Sequence, residues 1–301
     1  MFTTRKLMTS LAFVLFSTAA SAGPLVYVVS AGITGDGIFG TVDLSTGAFQ
    51  QIGPAEPDGY FGLAPGLNGS LVSFTYASNL DRINPATGVP TLIGATGLPG
   101  CVIATPSCGP TTAFTLGGFE GKIYGVDISN SVYTVNPTTG AATLLVKNSG
   151  LPNPSFVPGS QNSDGTFNLA DEAIWASGGK LYLTYDALTF DFNSFTVGSL
   201  VVAPALYEID PATGLATLIG PTDLGLGAAL EVNGATYAFN DMTNQIETLN
   251  LLTGAATPVG DFDPAAGVIQ GASATPEPAS IALIGVGIAV LGVANKKRGR
   301  R

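Results

Sequence analysis

The stretch Tyr207–Gly220, "YEIDPATGLATLIG", decides the fold. It begins as a strand, with Leu206 and Glu208 facing one way and Tyr207 and Ile209 the other. Asp210 can fold its side chain onto nearby backbone amides, and Pro211 presets a turn φ. Gly214 can take the left-handed conformation that closes a hairpin without a Cβ clash. The unit recurs as "GTVDLSTGAFQQIG" ending at Gly53, "DRINPATGVPTLIG" at Gly94, "YTVNPTTGAATLLV" at Val146 and "ETLNLLTGAATPVG" at Gly260. Asp43, Asn84, Asn136, Asp210 and Asn250 thus share one turn position. Calcium ligation is the alternative role for that position, but a turn suits its Asn and Asp versions alike.

Working outward, a turn signal and an apolar or aromatic strand precede the copies. These are "GPLVYVVS" from Gly23, "NGSLVSF" from Asn68, "GKIYGVDI" from Gly121, "GKLYLTYD" from Gly179 and "NGATYAFN" from Asn233. Further upstream lie strands of small apolar residues: "GYFGLA" from Gly59, "AFTLGGF" from Ala113, "FNLADEAIW" from Phe167 and "GLGAALEV" from Gly225. The first copy lacks this leading strand, and "GVIQGASA" (Gly267–Ala274), after the last copy, resembles it. Four short strands repeating at about 40 residues predict an all-β propeller blade. The terminal strand is expected to complete the first blade and close the ring, which removes free sheet edges. The interval from Gly140 to Gly214 is long enough to raise a six-blade alternative. It holds one leading and one second strand, so five blades are expected, with the surplus in loops at 147–166 and 186–204.

The chain of 301 residues has a net charge of −10, with most of its 11 basic residues at the two ends. Between Gly23 and Ala274 only Arg82, Lys122, Lys147 and Lys180 face 20 acidic residues. Such a surface repels nucleic acid and anionic lipid. Arg5 and Lys6, the apolar run Leu7–Ala19 and the small residues Ala20-Ser21-Ala22 read as a secretory signal at 1–22, with Gly23 the mature start. One domain is expected over 23–274. In an exported protein, Cys101 and Cys108 of "CVIATPSC" are expected to form a local disulfide. A redox pair or metal site is the alternative, though the spacing is not that of Cys-x-x-Cys.

There is no histidine, which excludes Ser-His-Asp and Cys-His catalysis and the commonest zinc ligand sets. No Gly-x-Gly stands between a strand and a helix as a phosphate loop requires. Carboxylates remain, and they are densest in the fourth blade: Asp164, Asp171, Glu172, Asp186 and Asp191, with Trp175 among the neighbouring aromatics. These six residues are the candidates for a sugar or calcium site. Asp171 and Glu172 stand out because they interrupt a leading strand, which lines a propeller's axis. Solvated loop acids and core aromatics are the plain alternative. No cofactor is expected beyond calcium.

The last 27 residues, 275–301, carry "TPEPAS", an apolar segment from Ile281 to Ala294 and "NKKRGRR". In that order and at the chain's end, they resemble the tripartite PEP-CTERM sorting tail, with Pro276, Glu277 and Pro278 as its motif. The resemblance implies a Gram-negative exopolysaccharide producer, export by the Sec machinery and recognition by a membrane-embedded exosortase that removes the tail. The apolar segment Ala279–Ala294 would reach about 24 Å as a helix, marginal for a bilayer core of about 30 Å. The basic end would stay cytoplasmic. An ordinary membrane anchor is the alternative. The repeats also resemble propeller-type repeats of surface proteins, which bears on fold and not on activity. The expected function is an exported, non-enzymatic propeller at the cell surface or in a biofilm matrix, binding polysaccharide or protein. A carbohydrate-active enzyme using the blade-four carboxylates and a purely structural spacer are the rivals.

Overall fold

The computed structural model describes residues 23–31, 36–99, 101–102, 107–108, 113–127, 129–154, 160–191, 194 and 196–275. These form five four-stranded antiparallel sheets and one two-stranded hairpin. Blade 1 takes β1 (Leu25–Ala31), β2 (Gly37–Asp43) and β3 (Phe49–Gln51). Blade 2 takes β4 (Phe61–Pro65), β5 (Leu71–Phe74), β6 (Asn79–Ile83) and β7 (Pro90–Ala95). The hairpin of β8 (Cys101–Val102) and β9 (Ser107–Cys108) follows. Blade 3 is β10 (Ala113–Phe119), β11 (Lys122–Asp127), β12 (Val132–Val135) and β13 (Ala142–Val146). Blade 4 is β14 (Phe167–Ser177), β15 (Lys180–Asp191), β16 (Thr196–Ile209) and β17 (Ala216–Pro221). Blade 5 is β18 (Leu226–Val232), β19 (Ala235–Asn240), β20 (Gln245–Leu249) and β21 (Ala256–Asp261). The last strand, β22 (Val268–Ala274), pairs with β1 as the innermost strand of blade 1, from Val26↔Ala274 to Ala31↔Val268. Thr275 Oγ1 then donates to the Leu25 carbonyl at 2.7 Å. The ring is a five-bladed propeller closed by its C-terminal strand.

The repeated core is a set of five equivalent turns. In each, the Asp or Asn Oδ1 accepts the amide two residues on at 2.8–2.9 Å. The turn glycine donates to the carbonyl of that same Asp or Asn at 2.7–2.8 Å. The threonine Oγ1 accepts a third amide at 3.3–3.4 Å. Each part of "Asp/Asn-x-x-Thr-Gly" is thus used in closing the hairpin.

The glycine at the end of the repeat has a different task. A Cβ on Gly94 would meet the Thr139 carbonyl oxygen, one on Gly220 the Thr253 oxygen, and one on Gly53 the Thr87 oxygen. These three terminal glycines therefore receive the turn of the next copy, whereas Gly260, at the end of the fifth, meets nothing within 4 Å. Blades dock at their rims through backbone contacts built from the repeat itself.

Five apolar clusters fill the five interfaces between blades. Leu206 packs toward blade 5, while Tyr207 and Ile209 pack toward blade 3, as their alternation requires. The innermost strands approach one another closely. A Cβ on Gly117 would strike the Ile174 carbonyl and one on Gly271 the Gly62 backbone. This is why the leading strands are made of small residues, and it leaves a void of about 10 Å³ on the axis, room for about one water.

One expected loop is a strand pair instead. The segment 186–204 continues β15 and β16, and Leu188↔Leu200 and Phe190↔Val197 extend their pairing past three register shifts. This pairing carries blade 4 past the length of the other blades as a projecting hairpin. The expected signal segment (1–22) and the sorting tail from Pro276 onward lie outside the described residues. Among the described residues no helix is long and apolar enough to cross a membrane. Gly23, the expected mature start, directly precedes Pro24 and β1.

Candidate functional site

Strand alternation divides the blade-four candidates. On β14 the even positions face blade 3 and the odd positions face blade 5. Glu172 therefore points toward blade 3 and Asp171 toward blade 5. Asp186 on β15 lies directly opposite Asp171 in the register and shares its face. Trp175, also on the blade 5 side, is 4% exposed within the cluster between blades 4 and 5 and stacks on Tyr182 with ring centroids 5.8 Å apart. It is a core residue, not a ligand platform.

Asp164 and Asp191 lie elsewhere. Asp164 is exposed and its Oδ1 accepts the Thr166 hydroxyl at 2.7 Å and amide at 3.0 Å. The hydroxyl bond above all holds this carboxyl below its ordinary range. Asp191, at the end of β15, accepts the Ser194 hydroxyl at 2.7 Å. Both belong to the rim around the projecting hairpin.

The end of the axis where the leading strands begin gathers the remaining acids. Asp186 is 3% exposed. Its Oδ2 accepts the Gly225 amide of blade 5 at 3.1 Å, and its Oδ1 has no partner. Asp241, in the turn after β19, accepts the Ile269 amide of β22 at 2.8 Å through Oδ1, and its Oδ2 has no partner. Each aspartate thus ties its blade to the next with one oxygen and leaves the other unused. Glu172 is buried with neither carboxyl oxygen paired. Burial pushes Asp171, Glu172, Asp186 and Asp241 upward, and Asp171 adds repulsion to the other three.

On the blade 3 side, Asp127 is buried and also raised by burial, while accepting the Tyr133 hydroxyl at 2.9 Å and the Ser131 amide at 2.8 Å. Asp127 and Asp241 escaped the reading of the sequence. The signal was present, since "GKLYLTYD" and "GATYAFND" place Asp186 and Asp241 at the same distance from Gly179 and Gly234. Asp186 lies midway along the extended β15, and Asp241 directly follows β19.

Cys101 and Cys108 face each other in the register of the β8–β9 hairpin. The Pro276-Glu277-Pro278 motif and the cleavage residues Ala20 and Ala22 lie outside the described residues. Among the described residues no three acidic side chains already converge on a metal centre.

The fold defines a class that carries many activities. No family model and no curated protein sequence matches the chain. Among solved structures it is similar to a chain of a nidogen/laminin complex, at 12% identity and a TM-score of 0.47, over 84% of this chain and 98% of that one. It is also similar to a protein of unknown function from Bacteroides caccae, at 12% identity and a TM-score of 0.41, over 85% and 100% of the two chains. A PQQ-bound aldose sugar dehydrogenase from Streptomyces coelicolor is similar at 12% identity and a TM-score of 0.36, over 68% and 81%.

Proposed function

We propose that the protein is an exported, non-enzymatic propeller that works at the cell surface or in the extracellular matrix, where it binds polysaccharide or protein. One observation of the site favours this reading over a glycoside hydrolase. The blade-four carboxylates do not oppose each other across an open channel. Asp171 and Asp186 sit side by side on one sheet face and Glu172 on the other, beside an axis with room for about one water. Glycoside hydrolysis needs two carboxylates flanking a bound sugar bond, and the narrow axis offers no such seat. Export and sorting rest on the basic–apolar–small start of the chain and on the Pro276-Glu277-Pro278 tail. The Sec machinery and an exosortase are the partners in transit.

Intact-mass analysis of the protein recovered from cells and medium tests the sorting. Released protein is expected to begin near Gly23 and end near Pro278. Released protein that retains Arg301 would overturn it. Co-sedimentation of the purified protein with the producer's own exopolysaccharide and surface proteins tests the binding. Recovery of all the protein in the supernatant, with and without Ca²⁺, would leave the spacer reading.

A further inference from the structure

We propose that blade 4 carries a pH-sensitive latch at the end of the axis where β14 begins: Glu172, in the joint with blade 3, and the pair Asp171–Asp186, in the joint with blade 5, hold protons in the closed ring, and both joints loosen when those protons leave. Three observations carry it. Glu172 is 5% exposed, and neither of its carboxyl oxygens has a partner. Asp186 is 3% exposed, its Oδ1 has no partner, and Asp171 stands directly opposite it on the same sheet face. No cation faces either place. Arg82, Lys122, Lys147 and Lys180 are the basic residues between Gly23 and Ala274, and all four are exposed.

The groups around them are acids and tyrosines. β15 sets Tyr185 opposite Glu172, and across the joint blade 3 presents Asp127, which accepts the Tyr133 hydroxyl. β10, the strand of blade 3 packed on β14, has no ionisable residue. On the other side β18 carries Glu231, taken up by Ser177 and Gly178 at the far end of β14. Asp223, in the turn before β18, is exposed, and Asp241 follows β19. β16 carries Tyr207 and Glu208, and Glu208 pairs with Lys180, about 20 Å along β15 from Asp186.

Two carboxylates side by side in a dry joint do not both ionise, and a buried carboxylate with no counter-charge takes up a proton instead. The proton turns a carboxyl oxygen into a donor, so the Asp171–Asp186 pair can close on itself through one shared proton. Burial pushes Glu172 up, and the charges of Asp127, Asp171 and Asp186 push it further. Burial first, then Asp171, does the same to Asp186. A raised carboxyl contributes stability that is full below about pH 4 and is lost as pH rises through its raised value. Ionised, Glu172 and Asp186 stand as uncompensated charges in two neighbouring joints, and the ring loosens there first. The latch belongs to the ring itself and is independent of what the propeller's surface binds.

The test uses the full chain and two readouts. Infrared spectroscopy at neutral pH is expected to show the carbonyl stretch of protonated carboxyls, weaker in E172Q and weaker again in E172Q/D186N. D186N keeps an oxygen for the Gly225 amide. Thermal unfolding from about pH 5 to about pH 9 is expected to show Tm falling as pH rises, with the fall smaller by about 5 °C in E172Q/D186N. D164N, which removes an exposed charge at the rim, is expected to keep the parent's fall. The infrared measurement on the parent decides even where a variant does not fold. Absence of protonated carboxyls in the parent at neutral pH, or the same fall in the parent, E172Q and D186N, would overturn the proposal. An equal flattening in D164N would assign the effect to surface repulsion and overturn it as well.

Discussion

Adding one methyl group at Gly220 should weaken the joint between blades 4 and 5. A Cβ there would clash with the Thr253 carbonyl oxygen and lie 3.0 Å from its carbon. Both are backbone atoms, so no side-chain rotation relieves the contact. The φ of Gly220 is outside the left-handed region, so alanine carries no intrinsic backbone strain there. The obstacle is the neighbour. Thr253 belongs to the turn closed by the Gly254 amide on the Asn250 carbonyl at 2.8 Å, and the turn must retreat as a unit by roughly 1 Å to restore ordinary contact. Overpacking of this kind costs about 1–3 kcal/mol. Restricting the unfolded chain returns about 0.4–1 kcal/mol. The net loss is about 1–2 kcal/mol, a fall of roughly 2–8 °C in Tm for a folded unit of this size.

Gly260 supplies the control. It ends the fifth copy at the equivalent place, yet a Cβ there meets no heavy atom within 4 Å. Gly260→Ala should be neutral or slightly stabilising. Unfolding can be followed through the single tryptophan, Trp175, which is 4% exposed in the interface that Gly220→Ala disturbs. Equal stability of the two variants in urea and thermal unfolding would refute the docking role of the terminal glycine.

Two further outcomes follow from other parts of the ring. Asp81 is 8% exposed, and burial first, then Glu56 and Asp58, push its carboxyl up to about 6. A raised carboxyl is most stable in the fold when neutral, so its contribution is full below about pH 4 and is lost as pH rises through about 6. Asp81→Asn should flatten this part of the stability–pH curve and be more stable than the parent at pH 7, by up to about 2–3 kcal/mol. Unchanged urea midpoints from pH 4 to 7 in the two proteins would refute it. Ending the chain after Ala266 removes β22 and with it the partner of β1 and the Ile269 amide that holds Asp241. The truncated protein should lose cooperative unfolding and expose Trp175, read as a red-shifted emission, whereas sharp two-state unfolding would show that the ring does not depend on closure.

The hairpins, the five blades and the closing strand were legible because their signals are local. Asp210, Thr213 and Gly214 bond within a few residues of themselves, and alternation in β16 survives in its packing. The role of Gly220 was not legible, because the carbonyl that excludes a side chain there belongs to the following copy. The acidic candidates were read as one group because they are neighbours in the chain. Asp171 and Glu172 are adjacent, and a strand's two-residue period sends adjacent side chains to opposite faces. Asp164 satisfies its own turn through Thr166, and Trp175 fills the core. Asp241 joins the group only through the ring's curvature, which brings the end of β19 beside β22 and β14. The extension of β15 and β16 was mistaken for a loop because its three register shifts interrupt a clean alternation.

The pairing of β22 with β1 also sets how the ring responds to force. Leu25 and Thr275 lie together at one end of the same sheet, joined by the Thr275 hydroxyl. Tension on the chain beyond Thr275, drawn away from the segment before Leu25, loads the β22–β1 ladder at its last rung and opens it one hydrogen bond at a time. The other four blades carry none of that load until the first has parted. A propeller held through this end is thus mechanically soft at one seam and rigid everywhere else.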